Sequence, residues 1–446
     1  MTTSVRVRMY NTGCGDCFLI TFDTDGQVAR VLIDCGTLRA SKGTRRADDA
    51  ARQIVDDLGA MLRLDVVIAT HRHEDHVSGF RLADLWAGVE VGEVWMPWTE
   101  MQEDPEAIGI RRRQTAAAEA LLSLIERLPA ADPRADPAAR AEAAARAEAA
   151  AGIMLNSLTN ETAMKTLRNG FAGKAQRRYL SLDSDAPVIV RAPEVKVHVL
   201  GPSRDPKVIA DLEPPASERW LAASSAEGRT RLEPFPKDWS IDWGEFSSAS
   251  ELEPLWLDEA LLRTINGATA DDLVEAAAML QGCENGTSLA LAFEVADRVL
   301  LFPGDAQWGT WKAMLANPAH VDLLKRTSFY KVGHHGSYNA TPRTFVADYL
   351  PRTARAAISV ARVEASNWHS IPHPDLVAAF TAKGVEVVRS DAPPAVSSAS
   401  VVVRGDISVD LDLTPDLAPS LTAEPLTLVR EAAIAGSASG AQTPAR

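Results

Sequence analysis

Apolar and charged side chains alternate over residues 5–9 (Val5, Arg6, Val7, Arg8, Met9), the period of a strand with one buried face. Phe18 to Phe22 and Val28 to Ile33 follow as strands, and Asp23-Thr-Asp-Gly26 carries the turn chemistry between them. Thr44 to Leu62 has helical spacing. Leu64 to Ala69 is a short apolar run that stops at Thr70-His71, and Val91 to Met96 is another strand. Strand character returns from Val188 to Leu200, interrupted at Pro193. Asp271 to Leu280 reads as a helix. Ser288 to Val295 and Val299 to Phe302 read as a hairpin around Ala296-Asp-Arg. Ala356 to Val360 and Val385 to Val388 are strands with the helix Pro374 to Lys383 between them, and Ser400 to Leu413 holds a last strand pair around Gly405-Asp406.

Two stretches break this pattern. Residues 110–182 are rich in Ala, Arg and Glu, a composition of high helix propensity, and hold 12 basic against 7 acidic residues. Arg111, Arg112, Arg113, Lys174, Arg177 and Arg178 are the local clusters, open to two readings: a solvated helical face, or a contact for an anionic substrate or partner. Residues 204–259 are Pro-, Trp- and acid-rich, with 6 basic against 13 acidic residues, and read as an irregular insertion or lid. Residues 414–446 are Pro/Ala/Ser/Thr-rich and read as a flexible tail.

At 446 residues the chain exceeds one minimal domain. Its 46% hydrophobic and 24% charged residues allow a sizeable core. The net charge of −14 opposes a chain-wide grip on nucleic acid or an anionic membrane, while leaving room for a local basic patch. Four cysteines are too few for a disulfide scaffold. Cys14-x-x-Cys17 stays open between packing near a turn and a metal or redox role. The first residues lack the apolar core of a signal peptide, and no run reaches the roughly 18 apolar residues of a membrane helix, so a cytoplasmic location is expected.

The strongest chemical signal is Thr70-His71-Arg-His73-Glu-Asp75-His76: three imidazoles and two carboxylates directly after an apolar strand. Imidazole and carboxylate are ligands for zinc and related metals, and a tight loop at a strand end can turn several of them into one cavity. The motif resembles the His-x-His-x-Asp-His signature of the metallo-β-lactamase fold superfamily. Asp34 in Leu32-Ile-Asp34-Cys-Gly36, Asp305 in Pro303-Gly304-Asp305 and Lys331-Val-Gly-His334-His335-Gly336-Ser337 extend the likeness. Asn11-Thr-Gly13-Cys-Gly15-Asp16, Asn285-Gly-Thr-Ser288 and Ser370-Ile-Pro-His373-Pro, in that order, resemble the hydrolase domain of the ComEC family of DNA-uptake channel proteins. The likeness covers about residues 1–100, 185–203 and 283–412, and leaves out the two insertions and any membrane channel.

What the resemblance implies is an α+β fold, the four-layer αββα sandwich with helical and irregular insertions. Its halves would be 1–109 and 283–413, joined through 183–203 and interrupted by insertions at 110–182 and 204–282. It implies two metal ions per chain, zinc or else manganese or iron. His71 and His73 would hold one, Asp75 and His76 a second, with Asp305 bridging and His335 completing the second site. His334 is the alternative to His335. Asp34 would support the loop. Asp75 and Asp305 would carry the catalysis, since two ions hold a hydroxide nucleophile and neutralise charge on a phosphoryl or carbonyl oxygen. A further histidine for the first metal is missing from the interval before Asp305. His198, on an alternating strand, reads as structural. His373 is either in the pocket or a cap for the Pro374 helix. Asn285 and Ser288 either support the site or shape a turn. The function implied is a phosphodiesterase or nuclease-type hydrolase acting on a small anionic substrate or short nucleic acid. An ester, lactone or thioester hydrolase and a non-enzymatic interaction module with a protein partner are the two alternatives.

Overall fold

Val5, Val7 and Met9 share one side of β1 (Thr3–Tyr10), as the alternation predicts, and that side is the centre of the molecule. The computed structural model describes residues 3–38, 47–127, 151, 160–220, 280–360, 371–394 and 397–414. Two mixed sheets form it. The first has eight strands in the order β13-β14-β1-β2-β3-β4-β5-β6: β13 (Val401–Arg404), β14 (Ser408–Asp412), β1, β2 (Phe18–Thr24), β3 (Gln27–Ile33), β4 (Arg63–Ile68), β5 (Glu90–Pro97) and β6 (Gln176–Leu180). The second has six, in the order β12-β11-β10-β9-β8-β7: β12 (Glu386–Arg389), β11 (Arg355–Ile358), β10 (Thr327–Lys331), β9 (Arg298–Phe302), β8 (Ala290–Val295) and β7 (Lys196–Gly201).

The sheets meet through their period-2 apolar faces. Phe18, Ile20 and Phe22 of one share a core with Leu291, Phe293 and Phe302 of the other, and the Phe18 and Phe302 rings cross edge to face at 5.8 Å. Among the described residues, helices flank them: α1 (Ala47–Leu58), α2 (Glu74–Val77), α3 (Ala83–Trp86), α4 (Pro105–Arg127), α5 (Glu161–Asn169), α6 (Pro206–Ala210), α7 (Trp308–Ala316), α8 (Pro318–Lys325) and α9 (Pro374–Lys383). Ile54 and Leu58 of α1 and Met164 and Leu167 of α5 pack on the outer face of the first sheet against Leu32 and Val67. Trp311 of α7, Leu324 of α8 and Phe380 of α9 cover the outer face of the second. The layers run helix, sheet, sheet, helix, an α+β arrangement compatible with an αββα sandwich. No helix among the described residues is long and apolar enough to cross a membrane.

Several elements depart from the periodicity reading. β6 lies inside the stretch read as helical, and pairs in parallel with β5. Arg178 there forks onto Glu93 of β5 at 2.7 and 3.0 Å, an attachment that composition does not reveal. The strand expected from Val188 starts only at Lys196. Val188 makes one isolated bridge and Val190 is 76% exposed, between prolines that remove ladder donors. β10 reads Thr-Ser-Phe-Tyr-Lys and is buried throughout, so it shows no alternation. His320 lies in α8, a helix the periodicity does not announce, whose start Asn317 caps by accepting from Ala319 N–H at 2.9 Å. The helix expected at 271–280, most of the acidic insertion and the tail beyond residue 414 lie outside the described residues.

Arg8, on the outer side of β1, holds Asp410 of β14 with Nη2–Oδ2 at 2.9 Å and also reaches Asp57. Burial works against the Asp410 carboxylate, but Arg8 and Arg404 outweigh it and hold the group below its ordinary range. A depressed carboxylate contributes stability above its unfolded pKa of about 3.9, and the contribution is lost as pH falls through the folded value. Arg8→Met is therefore expected to cost about 3 kcal/mol at pH 7. It should cost clearly less at about pH 3, where the unfolded carboxylates are already mostly protonated. Urea unfolding at the two pH values measures the difference.

Candidate metal centre

The strand registers bring six connections to one edge. β3, β4 and β5 run parallel, as do β9, β10 and β11, so the residues after them emerge together. The start of β2 pairs with the end of β3 (Phe18 with Ile33), and the start of β8 with the end of β9 (Leu291 with Phe302), which adds the segments before them. Asp16, Asp34, the loop from Thr70 to His76, Glu284 to Ser288, Asp305 and His335 thereby face one buried centre. Leu289 N–H donates to Thr70 O at 2.8 Å, which ties the two sheets together there.

The conformation of the loop from Thr70 to His76 is held from beneath. Asp34 has φ of 57°, a strained value for a non-glycine residue. Its carboxylate accepts from Thr70 N–H at 2.8 Å, Thr70 Oγ at 2.7 Å and His76 Nδ1–H at 2.8 Å. The first two hold Thr70, and the third fixes the His76 ring with Nε2 toward the centre. His335 also sits at positive φ (52°), and its Nδ1–H donates to Ser359 O at 2.7 Å, which frees its Nε2 in the same way. A Cβ on Gly36 would lie 2.1 Å from the Asp75 carbonyl carbon and 2.2 Å from His76 N. Gly36→Ala is accordingly expected to push the ligand loop away, lowering metal affinity at least tenfold, with a fall in melting temperature of several degrees. Titration with zinc and thermal unfolding check it together.

Asp75, His76, Asp305 and His335 each offer one ligand atom, and those atoms all lie within 4.8 Å of one another. His335 Nε2 is 3.1 Å from Asp75 Oδ2, and His76 Nε2 is 3.3 Å from Asp305 Oδ2 and 3.9 Å from Asp75 Oδ2. Asp16, Asp34 and His76 make a second such group. Beside them, His71 Nε2 stands 2.9 Å from His73 Nδ1, and both residues are 1% exposed.

Burial lowers His71 well below the ordinary imidazole range, and the neighbouring His76 and His73 push the same way, so this ring is neutral. Burial also opposes charge on His76, but Asp305, Asp34 and Asp75 outweigh it and raise that ring well above its usual value. Burial raises Asp75, yet His76 and His335 overcome it and the net is downward. The carboxylates thus demand positive charge at the centre. Lys331, 2% exposed, supplies part of it: its Nζ pairs with Asp16 and lies 3.3 Å from Asp305 Oδ1. Burial works against the Lys331 charge, but Asp16 and Asp305 prevail and raise it.

The remaining predicted residues divide. Ser288 Oγ accepts from Asp305 N–H at 3.2 Å. Asn285 is 1% exposed, and neither side-chain polar atom has a hydrogen-bond partner among the described residues. His334 lies outside both ligand groups: its Nδ1 faces Ser337 Oγ at 3.1 Å while its backbone N–H donates to Asp305. His373 is at the cap of α9, accepting from Asp375 N–H at 3.3 Å, the second of its two readings. His198 faces Glu294 across the β7–β8 pair at 2.8 Å, away from the centre. Cys14, Cys17 and Cys35 are buried, are joined in no disulfide among the described residues, and enter neither ligand group.

Sequence reasoning left Asp16, Glu284, Lys331 and Ser359 without roles. Glu284 Oε2 lies 2.6 Å from His73 Nε2, the nitrogen that faces away from His71. It orients His73 much as Asp34 orients His76. Asp16 and Lys331 stood inside quoted motifs. Nothing in the spacing marks Glu284 or Ser359.

The donor set fits a divalent transition metal. It mixes imidazole and carboxylate, the aimed nitrogens have their second nitrogens held, and His76 Nε2 is buried without a hydrogen-bond partner among the described residues. Neither a scan against protein-family models nor a search of curated proteins gives a match for this chain.

Proposed function

We propose that this chain is a metal-dependent hydrolase of the metallo-β-lactamase fold, acting on phosphodiester bonds. The observation that carries the reading is the convergence of Asp75, His76, Asp305 and His335 at one buried point, with their ligand atoms within 4.8 Å of one another. His71 and His73 would hold a first ion, and the four convergent residues a second. Zinc suits the set, with manganese or iron as alternatives. Ions so placed supply a nucleophilic water at neutral pH and neutralise charge on a phosphoryl oxygen.

The chain's own residues do the rest. Asp34, Ser359 and Glu284 hold His76, His335 and His73 in the orientation that leaves one nitrogen of each for the centre. Asp16 and Lys331 set its charge. The choice of phosphodiester over carboxyl ester rests on the resemblance to the ComEC hydrolase domain and on the arginines beside the ligand loop. Arg72 stands between His71 and His73, and Arg111 lies close enough to both Arg72 and Arg168 to interact electrostatically.

The test is hydrolysis of bis(p-nitrophenyl) phosphate beside p-nitrophenyl butyrate. Phosphodiester turnover that stops with a chelator and returns with zinc or manganese is the expected result. Ester turnover alone, with every ion, would move the assignment to the ester hydrolase.

A further inference from the structure

Beside Arg72 of the ligand loop is an open cavity of about 520 Å³, within the range of small-molecule sites. The first half of α4, the helix α5 and Arg72 form its walls, and four guanidinium groups line it against two carboxylates. Arg72 enters from the ligand loop itself, between two histidines aimed at the metal centre. Asn160, immediately before α5, donates from Nδ2 to Arg72 O at 2.6 Å, so the loop and the cavity wall are one assembly.

The four guanidiniums are not equally engaged. Arg72 is held by Glu100, with Nε–Oε1 at 3.2 Å. Arg111 donates to Thr99 O. Arg168 pairs with the exposed Glu161 at 2.9 Å, while its Nε is buried without a hydrogen-bond partner among the described residues. Arg112 is exposed and makes no hydrogen bond or ion pair among the described residues. Burial lowers Arg111, Glu100 opposes that shift, and the like charges of Arg72 and Arg168 add to it. Guanidinium forks gathered in a concave site match phosphate oxygens in geometry and charge.

We infer that this cavity binds a phosphate group of the substrate other than the one being cleaved, through Arg112, Arg168 and Arg111. The inference rests on the phosphodiesterase reading and gives it a substrate class: molecules with a second phosphate beside the scissile one, such as an oligonucleotide bearing a terminal phosphate. It also divides the basic residues of 110–182. Arg178 is spent on Glu93, and Arg177 on Arg168 O and Asn169. Arg111 and Arg112 remain with the cavity.

The experiment measures binding, not turnover, on the full chain. A 5′-phosphorylated thymidine dinucleotide, the same dinucleotide without the terminal phosphate, and inorganic phosphate are titrated into the chelator-treated protein. The terminal phosphate is expected to improve affinity about tenfold or more, the worth of charge-assisted hydrogen bonds to one group. Arg112→Gln and Arg168→Gln should each remove most of that advantage, and inorganic phosphate should compete for it. A dinucleotide that binds no better than inorganic phosphate locates recognition in the phosphate alone; tighter binding adds the nucleoside. Either supports the site. Arg112 is exposed, so its variant tests the cavity even if Arg168→Gln does not fold. Equal affinity with and without the terminal phosphate, or an advantage that survives both substitutions, overturns the inference. That outcome with bis(p-nitrophenyl) phosphate still hydrolysed would sink the cavity and spare the hydrolase. Binding as expected with no phosphodiester turnover under any ion would do the reverse to the hydrolase reading.

Discussion

Asp75→Asn is expected to lower kcat for a phosphodiester on the order of 10⁴-fold or more, as loss of a central group in a cooperative site does. Asp75 Oδ2 faces both His335 Nε2 and His76 Nε2, so one carboxylate links imidazoles contributed by the two sheets. Asparagine keeps the shape of the side chain and removes the charge. The His76 and His335 rings then lose a shared counter-charge that burial makes costly to replace. The variant's circular dichroism should match the parent, because the surrounding layers do not depend on this group. Steady-state kinetics on bis(p-nitrophenyl) phosphate with zinc in excess gives the number. Activity within tenfold of the parent would remove Asp75 from the reacting centre.

Lys331→Met should destabilise the protein by about 3–5 kcal/mol in the absence of divalent metal, the range for removing one partner of a buried ion pair. Lys331 lies at the end of β10, buried between Asp16 and Asp305, and also donates to Gly304 O at 3.2 Å. Without it those two carboxylates face Asp34 and Asp75 across a buried centre. Added zinc or manganese should recover much of the loss, since an ion bound only by the folded state stabilises it by mass action. Chemical denaturation with chelator and with zinc separates the two contributions. A variant as stable as the parent in chelator would show that Lys331 does not balance the cluster.

The ligand loop was the most legible part of the site because its chemistry is local. His71, His73, Asp75 and His76 fall within six residues after an apolar strand, and the fold keeps them together. Asp305 and His335 were legible through motif resemblance, and their approach to Asp75 needed the parallel β9–β10 pairing to be seen. Glu284 and Ser359 were not legible. Each acts through a contact set by sheet packing, and neither residue type is distinctive in its own segment. Among the strands, those with one buried face declared themselves by alternation. β10 did not: like β4, β9 and β11 it is covered on both faces, but its Thr, Ser and Lys leave it without the apolar run that marked those three. β6 was hidden for the opposite reason: it is an edge strand, mostly exposed, whose sequence Gln-Arg-Arg-Tyr-Leu resembles the helical stretch before it. The caps of α8 and α9 (Asn317-Pro and His373-Pro) show that their helix starts were written locally, although only the second was predicted.

The most direct test of the central claim is the metal content of protein purified without a histidine tag or chelator, by elemental mass spectrometry. About two zinc or manganese ions per chain, falling to none or a weakly held remainder in a His76→Ala, Asp305→Ala double variant, is the result this account predicts. No bound metal in the parent, even after incubation with zinc, manganese or iron, would contradict it.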